Sequence, residues 1–178
     1  MKITAILLAA GQGTRMKSTL PKVLHPLCGK PMLWHVLEAL RSAATEKPVV
    51  VIGHGAEAVR KYLGDTADCV LQEPQLGTGH AAMQAEALLK GKTDYVIVTY
   101  ADMPLLRGET FARLVETQRL NPGPFSLLTV VADNPRGFGL LKDGVYIADT
   151  ENHVIRYADF KTQQVTTIAG TGQPGYER

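Results

Sequence analysis

A chain of 178 residues, 45% hydrophobic and 20% charged, has the length and apolar content of one ordinary globular domain with some residues to spare. Its formal net charge of +2, from 19 basic and 17 acidic side chains, is too small to argue for nucleic acid or a membrane surface, so any anion site must be local. Cys28 and Cys69 lack a metal-ligand spacing or a CxxC partner, which fits incidental thiols in a reducing, cytoplasmic setting. Lys2 followed by an apolar stretch has the outline of a signal peptide, but no small-residue cleavage site follows. No segment holds the roughly 18 apolar residues that span a bilayer.

In chain order, Ile3 to Ala9 is an apolar run that breaks into Gly11-Gln12-Gly13-Thr14-Arg15. This reads as a buried parallel strand delivering a glycine turn to the edge where open α/β sheets bind ligands. Gly11 and Gly13 let backbone N–H groups approach an anion, and Arg15, Lys22 and Lys30 add three cations close by in sequence. A plain strand-to-helix turn would account for a bare Gly-x-Gly. Here Pro21, Pro26 and Pro31 hold the basic segment extended and out of a helix, which points to a phosphate loop.

Met32 to about Ala44 has the apolar spacing of an amphipathic helix, with Leu33, Val36, Leu37 and Leu40 inward. Pro48 to Gly53 is a second buried strand and Ala56 to Leu63 a short helix ending at Gly64-Asp65, after which Cys69-Val70-Leu71 leads into the next loop. This strand-helix rhythm predicts an α/β fold with a parallel sheet and right-handed crossovers. The segment Gln72-Glu73-Pro74-Gln75-Leu76-Gly77-Thr78-Gly79 then offers two amides that both donate and accept, as recognition of a pyrimidine edge requires, beside glycines that admit a flat base. A loop with Thr78 as helix cap is the plainer alternative. A helix is expected from His80 to about Lys90. Asp94 to Tyr100 is the clearest strand, and it places Asp102 at the ligand edge, as a metal carboxylate or as an Asx-turn before Pro104. Gly108 to Leu120 is a helix with Phe111, Leu114 and Val115 inward, and Ser126 to Ala132 a further strand. The five histidines are scattered, and none is given a catalytic role; His25 is assigned to loop packing.

The run Leu8 to Met16, with Leu20-Pro21-Lys22-Val23-Leu24-His25 and Gly29-Lys30-Pro31-Met32, resembles the sugar-1-phosphate nucleotidyltransferases. Lys22-Val23-Leu24-His25 is most similar to the uridyltransferase domain of the bifunctional N-acetylglucosamine-1-phosphate uridyltransferases. Gln72-x-x-Gln75-Leu76-Gly77-Thr78-Gly79-His80-Ala81, Asp102-x-Pro104-Leu105 and Asp133-x-Pro135-x-Gly137-Phe138-Gly139 continue the resemblance in the same order. It implies a Rossmann-like, mostly parallel sheet with helices on both faces over residues 1–139. It also implies transfer of UMP from UTP to N-acetylglucosamine-1-phosphate with release of pyrophosphate. On this resemblance Leu8, Ala9, Ala10, Gly11, Gly13, Thr14, Gln72, Gln75, Gly77 and Thr78 hold the nucleotide, while Arg15 and Lys22 act on the triphosphate. Asp102 holds Mg²⁺, and Tyr100 and Gly139 lie near the sugar. Ala101 stands where the family usually has Gly.

The resemblance ends at Gly139. Residues 140–178 read as short strands broken by turn residues, and their wording is similar to a single NHL β-propeller repeat, which cannot form a propeller alone. The family's second metal ligand and most of its sugar pocket are not found there, so turnover is expected to be impaired. A related sugar-phosphate or MobA-like nucleotidyltransferase is the nearest alternative function, separable by nucleotide competition. A non-catalytic nucleotide-binding or NHL-type interaction module is the alternative from another class, in which the tail alone binds a macromolecule. Oligomeric state is not set by the sequence.

Overall fold

The computed structural model describes residues 1–13, 16–121, 123 and 125–128, together with the backbone of strands at 144–149, 154–159 and 165–169. The chain divides into two compact units, Met1–Leu128 and Thr129–Arg178. The first unit holds strand β1 (Ile3–Ala9), a two-stranded hairpin β2–β3 (Pro26–Leu27 and Lys30–Pro31), helix α1 (Met32–Leu40), β4 (Val49–Ile52), α2 (Ala56–Leu63), β5 (Asp68–Leu71), α3 (Thr78–Met83), α4 (Glu86–Leu89), β6 (Tyr95–Tyr100) and α5 (Gly108–Leu120).

Strands β5, β4, β1 and β6 form one parallel sheet in that order, with Leu8 opposite Val51 on one side and Tyr100 on the other. The apolar runs of β1 and β4 follow from double burial. Ile3, Ala5, Leu7 and Ala9 join a core with Leu33, Val36 and Leu40 of α1, Val59 and Leu63 of α2, and Phe111 of α5. Ile6, Ala10, Val49 and Val51 pack the opposite face against Ala81 and Ala85 beside α3 and α4. A strand apolar on both faces loses the period-two alternation of a half-exposed strand, and helices cover both faces as expected.

One expectation needs correction. The helix expected from His80 to Lys90 begins at Thr78 and breaks in two, because the Gln84 side-chain amide donates to the His80 carbonyl at 3.0 Å. The Gln84 backbone N–H then turns to Ala81 O, a tighter, three-residue bond. Strand β6 lies at the end of the described sheet; Val96, Val98 and Tyr100 are 44%, 48% and 46% exposed because α3 and α4 cover β1 and β4 on that face and not β6. Of the strand expected over 126–132, residues 126–128 are irregular and 129–132 lie outside the described residues. Gly139 also lies outside them.

The second unit contains β7 (Gly144–Asp149), β8 (Val154–Asp159) and β9 (Val165–Ala169), an antiparallel sheet in chain order that matches the short strands read from the sequence. In the first unit Cys28 is exposed on the hairpin turn, and Cys69 is half-buried on β5, where burial pushes its thiol up. Among the described residues no helix is long and apolar enough to cross a membrane.

The core makes a direct prediction. Leu33 is fully buried and Leu105 is 85% exposed. Leu33→Ala is expected to lower unfolding free energy in urea by about 2–5 kcal/mol, and Leu105→Ala by no more than about 0.5 kcal/mol.

Candidate active site

From β1 the chain crosses to β4 and β5, then returns past β1 to β6, so the winding reverses between β1 and β6. Side chains and loops at the carboxyl ends of those two strands therefore border a crevice that no crossover fills. Leu8 and Ala9 end β1 there, and Ala10 to Gly13 continue beyond it. The Ala10 carbonyl accepts from the His54 backbone N–H at 3.3 Å and from Gln75 Nε2 at 2.7 Å. A Cβ on Gly53 would stand 2.7 Å from that carbonyl and 2.8 Å from Gln75 Nε2, so glycine at 53 lets the two loops meet.

Gly13 has φ +60°, and a Cβ there would lie 2.8 Å from Lys22 Cβ. The lysine stem thus runs over a bare glycine. Pro21 opens a 3₁₀ turn, Lys22–Leu24, and Val23 plugs into the core at its centre. This fixes the start of the Lys22 side chain, whose Nζ reaches Asp102 Oδ2 at 2.5 Å. The two side chains are 38% and 30% exposed, so the ion pair joins the loop after β1 to the tip of β6 while remaining open to the crevice.

The base side is built from the loop before α3. Gln72 is 5% exposed, and its Nε2 donates to Gly77 O at 2.9 Å. Gly77 opens α3 with φ +102°, and Thr78 caps no helix; its Oγ1 lies 3.3 Å from Tyr100 Oη. Every described residue to which the family motifs assign a role lines one crevice of about 650 Å³: Leu8, Ala9, Ala10, Gly11, Gly13, Lys22, Gln72, Gln75, Gly77, Thr78, Tyr100 and Asp102. Thr14, Arg15 and Gly139 lie outside the described residues.

Met16, Val23 and Ala81 line the crevice as well and were missed. Their signals were weak, since an apolar residue between cations and an alanine on a helix are both ordinary. Lys30, grouped by sequence with the phosphate cations, is corrected. Positive φ at Cys28 and Gly29 turns the hairpin back, pairing Pro26 with Pro31, and Lys30 Nζ sits over the Trp34 ring at 5.7 Å, away from the crevice lining. His25 keeps its packing role, with Nε2 3.2 Å from Leu20 O and its carbonyl accepting from Met32 N–H. Among the described residues no cluster of three or more His, Cys, Asp or Glu could hold a metal by itself.

A glycine turn, one cation and one carboxylate at the reversal of an open parallel sheet make this a nucleotide-binding α/β domain. A model of the MobA-like NTP transferase domain matches residues 5–155, and the chain belongs to that family. It is 50% identical over 176 residues to the bifunctional protein GlmU of Heliobacterium modesticaldum, an alignment that takes in 96% of this chain and 37% of that protein. The chain thus spans little more than a third of the length of such relatives. A nucleotidyl transferase from Methanothermobacter is 26% identical with a TM-score of 0.57, over 65% of this chain and 57% of its own. A Mycobacterium tuberculosis protein crystallised with manganese is 25% identical with a TM-score of 0.56, over 67% and 61%. The family match runs past residue 139, where the sequence reading ends the resemblance, and nothing in these likenesses supports an NHL repeat in the tail.

The contact between the two loops can be tested. Gly53→Ala is expected to cost about 1–3 kcal/mol through overpacking, and Gln75→Ala about 1 kcal/mol through its lost bond. Both changes remove the bond from Gln75 to Ala10, so the double variant should fall short of the sum by about 1 kcal/mol in urea unfolding.

Proposed function

We propose that the crevice binds UTP and that the domain transfers UMP from it to a sugar-1-phosphate, N-acetylglucosamine-1-phosphate by similarity to the GlmU proteins, with pyrophosphate leaving. The observation that carries this reading is the Lys22–Asp102 pair, which sets a cation and a carboxylate side by side beneath the glycine turn. The backbone from Ala10 to Gly13 cradles phosphate oxygens, and Lys22 neutralises their charge. Gln72, Gln75 and Gly77 receive the base, and Tyr100 lies toward the sugar. Arg15 is assigned to the triphosphate and Gly139 to the sugar by the family motif alone. No protein nucleophile is required, because the phosphate oxygen of the sugar attacks the α-phosphorus directly and the protein supplies placement and charge.

A hard, half-exposed carboxylate bordered by open space fits Mg²⁺, which binds through one or two carboxylates and completes its shell with phosphate and water oxygens. Asp102 is the residue that would hold it, and the ion when bound adds positive charge beside the reacting phosphates. With nucleotide and metal bound, Lys22 would face phosphate and Asp102 the cation, so their ion pair would give way to these partners. Asp102 is the sole carboxylate among the described lining residues, so we expect nucleotide binding to be stronger than turnover. We also keep residues 1–139 as the nucleotide-binding segment and 140–178 as a separate β-rich one.

Calorimetry with Mg²⁺ is expected to rank UTP above CTP and ATP; equal affinity for all three would sink the uridyltransferase reading. Lys22→Ala should weaken UTP binding at least about tenfold more than Lys30→Ala, since Lys22 faces the crevice and Lys30 the Trp34 ring. Pyrophosphate release with UTP and N-acetylglucosamine-1-phosphate is expected to be slow. Rapid release would mean that residues outside the described set complete the metal and sugar sites.

A further inference from the structure

Behind the base side of the crevice three polar side chains stand in a row: Gln72, His80 and Gln84. Gln72 Nε2 donates to Gly77 O at 2.9 Å and lies 3.2 Å from His80 Nδ1. Gln84 Nε2 donates to His80 O at 3.0 Å and lies 3.1 Å from His80 Nε2. Carbonyl oxygens only accept, so each glutamine turns its NH₂ group toward the imidazole. A neutral imidazole has one lone pair and one N–H, and it cannot receive both.

Burial decides which amide gives way. Gln84 is half-buried in the turn between α3 and α4 and can keep its bond to His80 O while trading the ring contact for water. Gln72 is 5% exposed, and a reversed ring would set an N–H against its N–H where no water can take up the loss. His80 Nδ1 is therefore the acceptor. Both N–H bonds of Gln72 are then used, and its Oε1, to which no described residue donates, is left for the crevice that Gln72 lines.

We propose that His80 is a positioning residue for base recognition. The lone pair on Nδ1 holds the Gln72 amide with its oxygen toward the ligand, so the site selects a pyrimidine that offers a ring N–H. Uracil has one at N3, where cytosine has a lone pair that meets the amide oxygen unfavourably. The inference rests on the base-binding role given to Gln72, and it adds a residue that makes no contact with the base.

The test is calorimetry of UTP, CTP and inorganic triphosphate with the whole chain and with Gln72→Ala, His80→Leu, His80→Asn and His80→Gln. His80→Leu should reduce the preference for UTP over CTP about tenfold while leaving inorganic triphosphate unchanged, the size expected for one misdirected hydrogen bond. His80→Asn, whose Oδ1 can stand where Nδ1 stood, should keep the preference, and His80→Gln should not. If Gln72→Ala keeps the preference, the base-binding reading itself fails. If Gln72→Ala erases it while His80→Leu keeps it, the role of His80 is overturned and the base reading stands. Should His80→Leu not fold, equal preference in the Asn and Gln variants overturns the proposal.

Discussion

Strand β1 is buried on both faces, and the rest of the first unit is arranged by that constraint. Neither face can meet water, so α1, α2 and α5 must cover one side and α3 and α4 the other. Parallel neighbours on both edges complete the backbone hydrogen bonds. A segment enclosed in this way leaves the core only at its end. The glycine turn consequently emerges at the carboxyl edge of the sheet, where the winding reverses and no crossover closes the space.

The crevice is assembled from stretches far apart in sequence, and each join is made by a contact that stabilises the fold as well. Gln75 ties the loop before α3 to the exit of β1, and Lys22 ties the loop after β1 to the end of β6. Thr78 meets Tyr100 across the opening. A ligand that entered would meet described segments already joined to one another by these contacts.

Much of this was legible in the residues. Doubly buried strands, the α1 face with Leu33, Val36 and Leu40, and the span of α5 follow from apolar spacing, which reports burial directly. The members of the crevice followed from motif order. What stayed hidden depends on geometry that spacing does not encode. Lys30 is close to Lys22 along the chain, but two positive-φ residues turn it away. The break between α3 and α4 comes from one glutamine amide competing for a helix carbonyl. His80 looked like one scattered histidine until its two flanking amides were seen together, and β6 gave no sign that the described helices would leave one of its faces uncovered.

The ion pair also bears on how quickly a nucleotide arrives. Lys22 and Asp102 are the only charged residues among the described lining of the crevice, and their charges cancel. These two described residues together present a small dipole to anything that enters, and a dipole's reach fades within a Debye length, about 8 Å in physiological salt. The pair by itself therefore adds little long-range attraction for an anion, and salt would act at it mainly through the contact between the lysine and whatever replaces its carboxylate partner.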